Sequence, residues 1–182
     1  MSDRGALGVT AALLLAGAAL AQDDSYGFMP PGGRDLIGRI VGDDAARLAE
    51  VAGQDQDRAG WASWAREAAP GMDDTQVETF AAYAALNLPV EEDLLAQIAD
   101  SGDPALLPPD GKELAVQQCQ FCHSLFSGYL MHDRDETGWK GTFKAPFHTE
   151  IPMSETERDT FAAYSALNMP MKMQDVPPEL RF

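Results

Sequence analysis

Two stretches of the chain carry apolar residues at helical spacing, and they are near copies of each other. Thr79-Phe80-Ala81-Ala82-Tyr83-Ala84-Ala85-Leu86-Asn87 returns 81 residues later as Thr160-Phe161-Ala162-Ala163-Tyr164-Ser165-Ala166-Leu167-Asn168. Phe80, Tyr83 and Leu86 share one helical face, as do Phe161, Tyr164 and Leu167. Each stretch opens with capping-box spacing, Asp73-x-x-Gln76 and Ser154-x-x-Glu157, and closes at an Asn followed by x-Pro. The match runs outward without a gap, placing Met72 on Met153 and Pro89 on Pro170. Further upstream, Gly60-Trp61 matches Gly138-Trp139 at an offset of 78, so the first copy is three residues shorter between its Trp and its last helix.

The rest of the pattern is helical too. Val90 to Ala99 predicts a short extra helix, and Asp110 to Gln118 predicts another with Leu114 and Val116 apolar. A turn-rich segment around Ser101-Gly102-Asp103-Pro104 and Pro108-Pro109-Asp110-Gly111 separates the copies. No sustained period-two alternation occurs, so the fold class expected is all-α, as two helical units. With 182 residues the chain can bury one sizeable core or two small ones.

The first residues read as an address. Arg4 precedes an apolar stretch from Ala6 to Ala21 that ends in the small-x-small Ala19-Leu20-Ala21 and then the polar Gln22-Asp23-Asp24. That run is short for a membrane span, which needs about 20 apolar residues. The expected organisation is a cleaved signal peptide at 1–21, a first helical domain at 22–104 and a second at 105–182, with the mature protein soluble and periplasmic. The 29 acidic residues against 13 basic ones give a net charge of −16. Nucleic acid and anionic membranes would repel such a surface, whereas a basic or locally positive protein would be steered to it.

Chemistry concentrates in one place. The only cysteines are Cys119 and Cys122, too close together to staple separate parts of a fold, and His123 follows them directly. Cys-x-x-Cys-His is the attachment signature for c-type haem. Two thiols three positions apart can each add to a haem vinyl group, and the His then reaches the iron from the same side. A thioredoxin-like redox pair would need a βαβ context, and a zinc site would need about four ligands, with only His132 and His148 left to help. From Gln22 to Pro109 there is neither His nor Cys, so a single haem is expected, in the second copy.

Cys119, Cys122 and His123 behind a helix, a Trp-bearing middle segment and a last helix with an aromatic resemble the class I c-type cytochromes, over roughly Pro108 to Asn168. The resemblance implies two cytochrome c-like helical domains in tandem, the first of them haem-less. It also implies one covalent haem c with an edge exposed for electron transfer. Such cytochromes usually take a Met from the loop before the last helix, for which Met153 is the obvious candidate. Met72 occupies the same place in the haem-less copy, however, where an apolar residue before the N-cap packs back as a hydrophobic staple. In the family pattern the axial residue lies about six positions before the helix cap, which is the separation of His148 from Ser154. His148 is therefore the expected distal ligand, with Met153 as the alternative. His132 reads as a surface residue or one beside a haem propionate, and Trp139 as core near the haem edge.

The expected function is single-electron transfer rather than enzymatic catalysis, by a free carrier or by the cytochrome subunit of a dehydrogenase complex. The alternative is a haem enzyme or small-molecule sensor with a displaceable sixth ligand.

Overall fold

The computed structural model describes residues 25–120 and 122–181, and the expected signal peptide lies outside them. Eight α-helices carry the fold, and no strand occurs among the described residues. They are α1 (Gly33–Val41), α2 (Ala45–Ala52), α3 (Arg58–Ala68), α4 (Asp74–Asn87), α5 (Glu92–Ser101), α6 (Gly111–Cys119), α7 (Glu136–Thr142) and α8 (Glu155–Asn168). Among the described residues no helix is long and apolar enough to cross a membrane.

The capping boxes predicted from spacing are present at both ends of the repeat: Asp73 with Gln76, and Ser154 with Glu157. Each satisfies two backbone N–H groups that a helix start leaves open. The Asp57 and Asp135 side chains cap α3 and α7 by a single bond each, accepting a glycine N–H at 2.7 Å. The extra helix is α5, which packs on α2 through the fully buried Ile98. Phe80 and Tyr83 are buried as their spacing predicts, while Leu86, on the same face, is 36% exposed because it lies in the last turn.

The repeat extends further than the α4 and α8 sequences show. Pro30-Pro31-Gly32-Gly33 leads into α1 as Pro108-Pro109-Asp110-Gly111 leads into α6, at the 78-residue offset. The Pro108–Gly111 stretch, which reads as a separator, is therefore the start of a core helix. Leu88-Pro89 and Met169-Pro170 are both cis. Val90 N–H donates to the Ala52 carbonyl at 3.0 Å, and Met171 N–H to the Leu130 carbonyl at 2.7 Å.

Two hydrophobic clusters form, one around Trp61 and Phe80 and the other around Trp139 and Phe161. They exchange their leading segments. Met29 packs in the second cluster, whereas its counterpart Leu107 packs in the first. Polar contacts across the α4–α8 contact are reciprocal in the same sense. Asn87 Nδ2 donates to Thr160 Oγ1 at 2.9 Å, and Asn168 Nδ2 to Thr79 Oγ1 at 3.0 Å. The Tyr83 hydroxyl donates to the Pro108 carbonyl at 2.6 Å, and that of Tyr164 to Pro30 at 2.8 Å. Contacts in which i meets j and j meets i are those of a local two-fold relation.

Where the halves meet, Asp110 is 1% exposed and its carboxylate caps two helices. It accepts the Glu113 N–H at 3.1 Å as N-cap of α6, and the Arg34 and Asp35 N–H groups of α1 at 3.1 and 3.5 Å. Gly32, the N-cap of α1, has no side chain to do this, and a Cβ there would lie 2.0 Å from Asp110 Oδ2. Arg34 closes the junction through Glu113 and the carbonyls of Ala105 and Leu107. Burial and the nearby Asp35 push the Asp110 carboxyl up to about 6, against the pull of the Arg34 guanidinium and of the N–H groups.

Two predictions follow from these contacts. A Cβ at Gly111 would lie 2.2 Å from Tyr164 Cβ and 2.9 Å from the Thr160 carbonyl oxygen. Gly111→Ala should therefore cost about 3 kcal/mol in urea unfolding, since neither the ring stem nor the backbone can give way. For Asp110 the folded-state value lies above the ordinary one, so its contribution is present in acid and lost as pH rises through about 6. Between about pH 4 and 7 the parent should lose stability relative to Asp110→Asn, by on the order of 3 kcal/mol at most. Paired urea titrations at the two pH values measure this.

Candidate cofactor site

Helix α6 runs from its Asp110 cap to Cys119, so the junction between the halves fixes where that thiol stands. Cys119 packs against the second hydrophobic cluster, while Cys122 and His123 are exposed. Burial pushes the Cys119 thiol up to about 12, which keeps it protonated at neutral pH and unsuited to the thiolate chemistry of a redox dithiol. A single π-helical turn, Phe126–Leu130, follows and buries Phe126, Tyr129 and Leu130. Gly128 in that turn lies against His123, where a Cβ would come within 2.6 Å of the histidine Cβ.

Beyond these residues the chain forms an open-sided cavity of about 510 Å³, within the range of small-molecule and cofactor pockets. Tyr129, Trp139, Phe143 and Phe161 supply its aromatic walls, and Ile151 and Met153 its aliphatic ones. Cys119, Cys122, His123 and His148 all line it. The structure thus gathers residues separated by up to 29 positions around one space. The His123 and His148 rings stand 6.4 Å apart between centroids, at 82° to each other. Nδ1 of His148 lies 3.1 Å from the Thr142 carbonyl, a group that can only accept. The proton is therefore on Nδ1 in the neutral ring, and Nε2 keeps its lone pair.

One part of the wall is polar. The Arg134 guanidinium lies 5.4 Å from the centre of the Trp139 ring, and its Nη1 donates to Thr142 Oγ1 at 2.9 Å. His132 reaches the same cavity and donates from Nε2 to the Ser127 carbonyl at 3.1 Å. Trp139 Nε1 is buried without a hydrogen-bond partner among the described residues, as is Trp61 Nε1 in the first half. No group of three or more His, Cys, Asp or Glu that could hold a metal ion occurs among the described residues.

The first half shows what closes such a space. Trp64 stands where Thr142 stands in the second, and its ring stacks on Phe80 at 5.4 Å and 14°. In the second half the equivalent ring, Phe161, faces the cavity. Val41, Asp44 and Ala45 occupy the positions of Cys119, Cys122 and His123. Sequence reasoning located the four sulfur and imidazole groups but missed Arg134 and the Thr142 carbonyl. No pattern marks a backbone acceptor, whereas Trp64 against Thr142 is readable once the 78-residue register is drawn.

No protein-family model, curated protein sequence or solved structure matches the chain.

Removing the Trp64 ring leaves one face of Phe80 without a partner. Trp64→Thr should cost about 3 kcal/mol in chemical denaturation, as large-to-small core changes do. Its effect should be confined to stability, with the helical far-ultraviolet circular dichroism of the folded protein unaltered.

Proposed function

We propose that the protein is an exported monohaem c-type cytochrome that passes single electrons between redox proteins. One observation carries the reading. The His of the lone Cys-x-x-Cys-His faces a second imidazole across an apolar cavity that both thiols line. A ring separation of 6.4 Å suits two imidazoles sharing one ion. Each bond takes about 2 Å, with about 1 Å more from nitrogen to ring centre on either side. In this reading Cys119 and Cys122 form the thioethers, His123 is the proximal ligand and His148 the distal one. The Thr142 carbonyl fixes the His148 ring, the usual second-shell support of a metal-binding His. Conversion to a thioether also removes a thiol that burial disfavours as a thiolate. The unpaired Trp139 N–H and the Arg134 guanidinium are donors suited to a carboxylate of the bound group.

Bound there, haem c would supply a one-electron iron couple. The residues around it would hold the group and exclude water through the aromatic walls, and His123 and His148 would both be available to the iron, leaving no open site for a substrate. The first half is, on this view, the same cytochrome c-like unit with its site closed by Trp64. Residues 22–104 carry 17 acidic and 5 basic side chains, so −12 of the net −16 lies there. That half is fitted to dock a positively charged redox partner, including the catalytic subunit of a dehydrogenase complex.

Haem staining of the purified protein on a denaturing gel tests the reading. One covalent haem per chain is expected, with Cys119→Ala and Cys122→Ala impaired in attachment. The parent should be low-spin, lack the long-wavelength band of a Met sulfur on ferric haem, and ignore carbon monoxide, whereas His148→Ala should bind it. Carbon monoxide binding by the parent would instead favour a haem enzyme or sensor. A band that vanishes in Met153→Ala would make Met153 the distal ligand.

A further inference from the structure

The segment between Thr142 and α8 carries both candidate distal ligands, five residues apart, and both line the cavity. Residues 144–147, 149 and 150 are exposed, so the protein interior alone holds this segment weakly. A side chain of α8 ties it down. Arg158, in the second turn of α8, donates from Nη2 to the carbonyls of Thr149 and Ile151, each at 3.2 Å. Those two carbonyls lie between His148 and Met153 in the chain. The guanidinium is stacked 5.0 Å from the centre of Phe143, itself a wall of the cavity. Arg158 Nε is buried without a hydrogen-bond partner among the described residues, a cost that a residue serving only to fill space would not carry. In the first half the same helical position holds the buried, apolar Val77. The two helices agree closely on either side of it, so the arginine accompanies the longer connection of the second half rather than the helix.

We propose that Arg158 is a positioning residue that holds the 148–153 segment in the register where His148, and not Met153, faces His123. The proposal rests on the haem reading above. With the Thr149 and Ile151 carbonyls clamped, the segment cannot slide towards the proximal side. His148 then keeps its bond to the Thr142 carbonyl, and Met153 keeps its place as the apolar residue before the Ser154 cap. Released, the same segment can offer the thioether instead, a softer ligand that raises the reduction potential of a haem.

The test uses the haem-loaded protein with Arg158→Val, which installs the residue of the other half, and with Arg158→Lys, which keeps the charge. Haem staining and far-ultraviolet circular dichroism first establish attachment and fold. Absence of covalent haem from the parent would overturn the cytochrome reading itself, and the proposal with it. With haem present, Arg158→Val should gain the Met-sulfur band and a more positive midpoint potential, and adding Met153→Ala should abolish the band. Carbon monoxide binding by the ferrous variant, absent in the parent, would equally show that His148 has been released. Arg158→Lys should show the same changes in part. A folded Arg158→Val with the parent's spectrum and potential would overturn the proposal. If the Val variant fails to fold, a Lys variant indistinguishable from the parent would overturn it as well, leaving a structural role only.

Discussion

The Asp110 carboxylate is where the two halves of this molecule become one structure. A helix start leaves backbone N–H groups without partners, and two starts meeting in the interior would leave a costly surplus of donors. One buried carboxylate serves both, taking the N–H groups of Glu113 on one side and of Arg34 and Asp35 on the other. It reaches the second helix because Gly32 contributes no side chain of its own. Two helix N-termini, each with partial positive character, offset part of the burial cost of a negative group. From that point α6 runs a fixed nine residues to Cys119, so the position of the candidate attachment residue is set by the junction.

The crossed contacts of α4 and α8 build outward from there. Tyr83 and Tyr164 press on Gly33 and Gly111 within their own halves and send their hydroxyls to carbonyls of the other. The same residues thus carry close helix packing and the union of the halves. Substitution at either glycine would disturb both. The exchange of Met29 and Leu107 between the clusters follows from the same geometry, because each leading segment must pass its partner's tyrosine to reach its own helix.

Within this shared frame the halves differ by a few residues of opposite consequence. Trp64 extends the wall of α3 and covers Phe80, whereas Thr142 ends α7 early, exposes Phe161 to a cavity and turns its carbonyl to His148. The three additional residues in the second half fall in this connection, giving the chain enough length to bring His148 opposite His123. Arg158 in place of Val77 then ties the longer segment down.

The amino-acid sequence by itself determined the helical class, the capped starts of α4 and α8, the repeat and the Cys-x-x-Cys-His motif. The caps and the five-residue signature are local, and the repeat needs only the chain compared with itself, so none of them needs a tertiary partner to be read. His148 was singled out as a candidate ligand, through its distance from Ser154 and its place in the lengthened connection, and the structure places it on the cavity wall. The repeated Pro-Pro-x-Gly start was present in the letters but read as a separator, because two prolines before a glycine punctuate a turn as readily as they precede a helix. Only the tertiary structure decided that Asp110 serves two helices, that the clusters exchange their leading residues, and that Arg134, Arg158 and the Thr142 carbonyl attend the cavity. Those contacts join residues far apart in the chain or use backbone groups common to every residue. The amino-acid order therefore carries no mark of them until folding brings the partners together.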